Sequence, residues 1–328
     1  MSREERKFRK HMEERAKRER RLAKKFESKF PAGSADSRKR SKTGPLSAGL
    51  IAEIGPGYCD VLSGRERYRC RTMVDIAIGD QVLFSPDRRR VEEVLPRRSA
   101  LSRTDPHNPR IQRVIAANID IVVNVVSLQS PPLSPGLIDR YLIAADKSGA
   151  DPLIAVNKVD LLTGPQDLEP LAPYQAAGIP LVLCSAQTGE GIPVLLDALR
   201  GKTCVFSGHS GVGKSSILNA LDDALDLDTR DVSAATNKGR HTTTSSALYE
   251  LANGAIVIDT PGIREFGLWD ISRSDLAAYY REFDAYPCAF SDCTHSHEPD
   301  CEVRHAVESG AIAAPRYQGY LRILATLR

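Results

Sequence analysis

The sequence predicts a multidomain protein: an N-terminal OB-fold β-barrel, a central α/β domain with a mostly parallel sheet, and a C-terminal, mostly α domain organised by a bound metal. Three observations carry this. Residues 47–96 hold five short strand-like runs (AGLIAEI, YCDVL, RYRCRTMV, QVLFS and RVEEVL) parted by GPG, SG, IGD and SPD turns, the pattern of a small barrel. From residue 114 come five apolar segments, IDIVVNVV, PLIAVNKVD, PLVLCSA, TCVFSG and AIVIDTPG, several separated by helical stretches such as Leu137–Lys147 and Ile192–Leu199. Strands this apolar are buried on both faces, as in a parallel sheet between helices. After residue 271 the texture turns helical and is interrupted by Cys288, Cys293, His295 and Cys301.

In chain order, residues 1–45 form a basic flexible arm and linker, 46–113 the barrel, 114–271 the α/β domain and 272–328 the metal-binding domain. The arm carries 17 Lys and Arg against 7 Asp and Glu, whereas the rest of the 328-residue chain holds 28 against 35. The net charge of +3 therefore hides an arm of +10 on a body of −7, a distribution that points to a polyanionic partner. Glu5–Arg9, Glu13–Lys17 and Glu14–Arg18 stand at helical spacing with no apolar stripe to bury, so the arm is a nascent helix or disorder. It reads either as an RNA-contacting arm or as a solubilising tail. In the barrel, Arg65, Arg67, Arg69 and Arg71 alternate along one strand and share a face; Arg88 to Arg90, with Arg97 and Arg98, add a basic rim. OB barrels bind oligonucleotides on such a face, although a solvated strand face produces the same alternation.

Some classes are excluded. No apolar run approaches the roughly 18 residues that span a bilayer. The N-terminus lacks the apolar stretch of a signal peptide and is too rich in Glu for a transit peptide, so a cytoplasmic protein is expected; a monomer is a separate expectation. Seven cysteines are an odd number. Cys59, Cys70, Cys184 and Cys204 sit singly in strand-like surroundings, while the C-terminal three cluster, which suggests metal rather than disulfides.

The strongest chemical signal is Gly208-His209-Ser210-Gly211-Val212-Gly213-Lys214-Ser215, followed by Ser216. It fits G-x-x-x-x-G-K-[ST], follows the strand CVFS and opens the helix SILNAL. Its glycines let backbone amides approach a triphosphate, Lys214 supplies a point charge for β/γ oxygens, and the Ser215 hydroxyl is placed for Mg²⁺. The loop specifies a nucleoside triphosphate but not its base. Base choice comes from Asn157-Lys158-Val159-Asp160 at the end of PLIAV. A carboxylate at Asp160 can accept from guanine N1–H and N2–H₂, donors that adenine lacks. Asn157 can bridge base site and phosphate loop, and the Lys158 stem can lie over the purine. Ser185-Ala186, closing the next strand, suits a backbone amide donated to guanine O6. The third signal, Asp259-Thr260-Pro261-Gly262, lies 51 residues after Gly208. Asp259 would hold Mg²⁺ through water, and the Gly262 amide would sense the γ-phosphate. Between them, in Gly239-Arg240-His241-Thr242-Thr243-Thr244, Thr243 is the preferred Mg²⁺ ligand, with Thr242 and Thr244 as alternatives.

These are the parts of a GTPase in an unusual order. Ras-like chains run phosphate loop, switch Thr, DxxG, NKxD, SA; here NKVD and SA come first. Joining neighbouring termini and cutting elsewhere preserves a site. With GHSGVGKSS, GRHTTT, DTPG followed by IREFGLW, and the terminal Cys/His cluster, residues 46–328 resemble the circularly permuted P-loop GTPases of ribosome assembly. Among these they are most similar to the small-ribosomal-subunit biogenesis family, RsgA, of YjeQ/YloQ type. The resemblance implies binding to the 30S subunit and its 16S rRNA. It also implies GTP hydrolysis, to GDP and phosphate, stimulated by that subunit in late maturation and factor release.

Permutation makes DTPG lead straight into the C-terminal domain through Ile263 to Trp269, so a switch movement could reorient that domain. Ile263 stands where many GTPases place a water-orienting Gln, which predicts slow intrinsic turnover. His241 is the candidate for orienting water once a partner orders the loop, and a plain loop hydrogen bonder is the alternative. Three thiolates and one imidazole (Cys288, Cys293, His295, Cys301) suit one tetrahedral, closed, structural Zn²⁺. The resemblance implies the same four ligands, with His297 as the rival histidine and His305 a surface residue. Two further readings compete: an RNA chaperone for which GTP is only a ligand, and an ATP-dependent kinase or helicase, which NKVD disfavours.

Overall fold

The computed structural model describes residues 45–104, 112–222, 225, 247–259 and 271–327, with the backbone alone of Thr104, Ala247 and Asp259. The arm therefore lies outside the described residues.

The first five strands are β1 (Ser47–Gly55), β2 (Tyr58–Ser63), β3 (Glu66–Cys70), β4 (Gln81–Ser85) and β5 (Arg90–Val94). All pair antiparallel, in the order β3-β2-β1-β4-β5. The curl closes where Arg71, just past β3, bridges Arg90: Arg71 N donates to Arg89 O at 2.8 Å and Val91 N to Arg71 O at 3.0 Å. Ile51, Val61, Val82, Phe84 and Val91 fill the interior. This is the barrel that the five short runs predicted.

The basic face is only partly as expected. Arg65, Arg67, Arg69 and Arg71 are exposed. Arg67 and Arg69, however, already lean on the buried carboxylate of Asp60, at 3.6 and 3.1 Å. Arg97 is not rim at all. Its guanidinium takes both oxygens of the fully buried Asp80 at 2.6 and 2.7 Å, because a carboxylate without water needs a bidentate partner. Arg98 is drawn to Asp120 at 2.9 Å.

A hairpin, β6 (Ala100–Thr104) and β7 (Gln112–Ala117), then crosses residue 113 and leads into the α/β sheet. That sheet holds β8 (Ile121–Ser127), β9 (Asp151–Asn157), β10 (Leu181–Leu183), β11 (Thr203–Ser207), β12 (Ala247–Glu250) and β13 (Ile256–Asp259). Its order is β10-β9-β8-β11-β13-β12, parallel except for β12. The five parallel strands are the five apolar runs of the sequence. One face packs on α1 (Pro135–Ser148) and α2 (Ala172–Ala176), the other on α3 (Ile192–Ala198) and α4 (Lys214–Leu221). Pro135 opens α1 and Gly149, at φ 82°, closes it, the usual asymmetry of helix ends.

Two features were not read from the sequence. The antiparallel strand β12 joins the barrel to the sheet, Ala247 pairing with Glu53 of β1. β1 follows β4 over Ser47 to Leu50, and its ladder with β2 shifts between Ile51 and Glu53. Such a bulge bends the strand, so its far half leaves β4 and meets β12. The C-terminal unit, with α5 (Arg273–Leu276), α6 (Glu302–Glu308) and α7 (Ala314–Thr326), encloses its own core of Leu276, Tyr280, Phe283, Val303, Tyr320 and Ile323. Ile143 of α1 belongs to that same core.

Candidate functional site

Because β8, β9, β10, β11 and β13 are parallel, their C-terminal ends share one edge, where open α/β sheets bind ligands. The register sets Ser207 beside Asn124, and Val205 beside Ile258, one residue short of Asp259. Along this edge stand Asn157 to Asp160, Ser185-Ala186, the loop 208–213 and the backbone of Asp259.

The loop 208–213 runs from β11 into α4. Gly208 has φ 141° and Gly213 φ 90°, where an L side chain is strained. A Cβ at Gly208 would also strike the Val125 carbonyl, and one at Gly213 the Asn157 amide. Lys214 Nζ donates to Gly208 O and His209 O at 2.8 and 2.9 Å, so its charge sits over the loop. Ser215 and Ser216 open α4, whose first amides favour anions.

Asn157 ties the motifs together. Its Nδ2 donates to Val212 O at 2.8 Å, and its Oδ1 accepts from Ala186 N at 3.0 Å. It is buried, so both amide atoms needed partners. Lys158, in the left-handed region at φ 66°, donates from Nζ to Gly211 O at 2.7 Å and to Ser130 O at 2.5 Å. Its stem therefore spans the gap between NKVD and the phosphate loop. Val159 N reaches Cys184 O at 3.3 Å. The Asp160 carboxylate is exposed and accepts the Ser185 hydroxyl through Oδ1. Ser185 Oγ accepts in turn from Thr188 N at 3.2 Å. The structure thus brings together Asn157, Lys158, Val159, Asp160, Ser185, Ala186 and residues 208–216. Gly262, His241, Thr243 and its neighbours Thr242 and Thr244 lie outside the described residues, as does the Asp259 side chain. Ser130 was missed: it precedes α1 in a Ser/Pro-rich stretch with no motif, and only folding sets it beside Lys158.

The second centre is the Cys/His cluster. The ligand atoms of Cys288, Cys293, His295 and Cys301 lie within 4.8 Å of one another. Cys288 Sγ stands 3.7 Å from Cys301 Sγ, and both stand 3.4 Å from His295 Nδ1. Zinc bonds of about 2.3 Å to S and about 2.05 Å to N give tetrahedral edges of about 3.8 and about 3.6 Å. The donor set therefore fits one Zn²⁺ with no open position. Burial holds the His295 imidazole below its ordinary value, in the neutral form a metal needs. His297 is exposed, with Nδ1 turned to Ser296 Oγ at 2.9 Å, which decides between the two histidines. His305 is exposed beside Glu302.

The loop that presents His295 is anchored twice. Tyr317 and Tyr320 of α7 donate to His295 O and Thr294 O at 2.7 and 2.6 Å. Glu298 accepts from Thr294 N and Ser296 N at 2.8 and 3.0 Å. Burial opposes its charge, yet those hydrogen bonds hold the carboxyl well below the usual range. Neither anchor was legible from spacing.

Comparison with known proteins agrees with this geometry. The RsgA GTPase family matches residues 94–269. The small ribosomal subunit biogenesis GTPase RsgA of Chlorobaculum parvum is 41% identical over 306 residues, covering 85% of this chain and 98% of its own. The crystal structure of YjeQ from Thermotoga maritima superposes with a TM-score of 0.72 at 32% identity, over 86% of this chain and 99% of that one. YloQ, described as a circularly permuted GTPase, gives 0.68 at 25% identity, over 89% and 98%. The 41% identity over 85% of the chain, with the family match and the superposed structures, places this chain in the RsgA GTPase family, a GTP hydrolase with the circularly permuted fold.

Proposed function

We propose that this GTPase acts in assembly of the small ribosomal subunit. In this reading it binds the 30S particle and its 16S rRNA, and hydrolyses GTP to GDP and phosphate to time its own release. The supporting observation is Asn157, whose amide joins the phosphate loop at Val212 to the Ser-Ala turn at Ala186 and so assembles one pocket for base and phosphates. The names of the relatives support the ribosomal partner, and the exposed arginines of the barrel, with the arm, support RNA contact.

Asp160 takes the guanine N1–H and N2–H₂, Ala186 N meets O6, and the Lys158 stem with Asn157 and Val159 floors the purine. Residues 208–216 wrap the phosphates, Lys214 swinging from the Gly208 and His209 carbonyls to β/γ oxygens. The Gly262 amide would sense the γ-phosphate, and His241 would orient the attacking water when the partner is bound; both lie outside the described residues. Ser215, Thr243 and Asp259 would hold Mg²⁺, which would offset the charge that develops on the phosphates during hydrolysis; β11, which leads into the loop before Ser215, is the parallel neighbour of β13. Cys288, Cys293, His295 and Cys301 would hold one structural Zn²⁺, which fixes the loop of the C-terminal unit. The divisions at residues 45, 113 and 271 belong to the same proposal, as does a monomer in the cytoplasm. Among the described residues no helix is long and apolar enough to cross a membrane.

Two measurements test it. Asp160→Asn should lower GTP affinity at least about tenfold and favour xanthosine triphosphate, whose C2 carbonyl matches the new amide. Unchanged GTP affinity would remove Asp160 from the pocket. Multiple-turnover hydrolysis should rise on adding 30S subunits, and His241→Ala should abolish that rise; turnover indifferent to 30S would overturn the ribosomal role.

A further inference from the structure

Helix α1 shows the C-terminal unit a single stripe, Asp139, Ile143 and Asp146, at the spacing that aligns side chains along one helix face. Ile143 enters the C-terminal core. Asp146 receives Arg281 at 3.2 Å. Asp139, 1% exposed, receives the guanidinium of Arg316, itself 4% exposed, from α7. The same guanidinium reaches Glu282 at 2.7 Å and lies over the rings of Tyr280 at 4.6 Å and Tyr174 at 5.2 Å. α7 comes this close because residue 319 is Gly: any Cβ there would collide with Asp139 Oδ2. One cation thus holds carboxylates of two units and sits between two tyrosines, all but the half-buried Glu282 out of water.

Such a cluster is a poor source of stability, because desolvating the charges costs about what their attraction returns, and apolar residues of similar volume do as well. What it supplies is a unique seating, since a planar guanidinium satisfies Asp139 and Glu282 together in one orientation only. The seating continues toward the nucleotide edge. Asp139 is one turn beyond Pro135, whose carbonyl accepts the Tyr174 hydroxyl at 3.1 Å. Five residues before Pro135, Ser130 O takes Lys158 Nζ at 2.5 Å, the ammonium that also touches Gly211 O.

We propose that Arg316 is a positioning residue for the nucleotide site: by seating the C-terminal unit on α1 it sets the lead-in segment 130–135 and, through Ser130, the pose of Lys158. It touches no nucleotide and acts through α1. The inference deepens the site reading given above and rests on its placement of Lys158 at the purine.

The test uses the full chain and a fluorescent GDP analogue. Arg316→Leu leaves two buried carboxylates without their cation and should both destabilise the protein and speed GDP release. The combined variant Asp139→Leu/Glu282→Leu/Arg316→Leu, which replaces all three charges by apolar volume, separates the two effects. It should recover most of the lost melting temperature yet still release GDP at least about fivefold faster than the parent, the lower end of ordinary coupling between sites. Hydrogen exchange of residues 135–148 should rise with it. A combined variant that regains stability and releases GDP at the parental rate would overturn the proposal and leave Arg316 a purely structural residue. A parent that failed to bind GDP would overturn the site reading as well, so the two failures are distinguishable.

Discussion

The barrel and the C-terminal unit meet the α/β domain in different ways. The barrel is joined by main chain, over an apolar core it shares with Val122, Val205 and Ile258 of the sheet: β1 pairs with β12 at Glu53 and Ala247, Ala117 N donates to Ile78 O at 2.8 Å, and the Asn118 side-chain amide spans Gly79 O and Arg98 N. The C-terminal unit is joined by side chains, through Arg316 to Asp139, Arg281 to Asp146, and Ile143 in the shared core. A main-chain seam tolerates many side chains but few backbone changes, whereas a side-chain seam hangs on particular residues. The first suits a rigid platform. The second suits a unit whose seating is meant to be coupled to something else.

The largest expected effect concerns what holds the C-terminal unit together before it docks. Strong chelation of the proposed zinc, or Cys301→Ser, should cost the unit most of its fold. Structural zinc contributes about 10–16 kcal/mol in small fingers, more than a whole domain's usual stability of about 5–15 kcal/mol leaves to spare. Elemental analysis should fall from one zinc per chain to none, and proteolysis should reach residues 272–327 while the main-chain-joined barrel and sheet stay protected. Loss of all three together would show that the two seams are not independent.

A middle-sized effect tests the main-chain seam. Gly79 has φ 84°, and a Cβ there would strike the Ala117 carbonyl. Gly79→Val should therefore cost about 2 kcal/mol or more in urea denaturation, while the side-chain seam keeps its hydrogen-exchange protection. A neutral Gly79→Val would mean that the barrel is held by other contacts.

The smallest effect is in pH. Burial pushes the Asp139 carboxyl up to about 6, against the pull of Arg316, with Glu282 nearby adding to the rise. Tyr174 and Tyr280 face the same carboxyl and stay protonated, burial raising both. A carboxyl that binds its proton more tightly when folded adds stability at low pH, and that part is lost as pH rises from about 4 to about 6. Asp139→Asn should flatten this stretch of the stability profile. An identical slope in the variant would assign it to other groups.

How much of this was legible beforehand depends on the range of the interaction. The five parallel strands, the barrel runs and the phosphate loop are local patterns of apolar period, turn residues and glycine, and the structure has them where the sequence puts them. The Cys/His cluster was legible because metal chemistry restricts the residue types, though that His295 and not His297 joins it needed the fold. Arg97 was misread as rim because nothing near it in sequence shows that Asp80, buried in the barrel wall, would claim it. β12 was overlooked because four residues carry too little period to read. Ser130, Asp139 and Arg316 have no local signature: 177 residues separate the last two.

By itself, then, the sequence determined the chemistry this chain carries, a guanine-nucleotide site and a Cys₃His metal site, because each requires a few residue types at close spacing and those are written contiguously. Only the tertiary structure decided how the parts are joined. Those contacts form between segments far apart in the chain, and which carboxylate loses its water, and so needs an arginine, is set by packing alone.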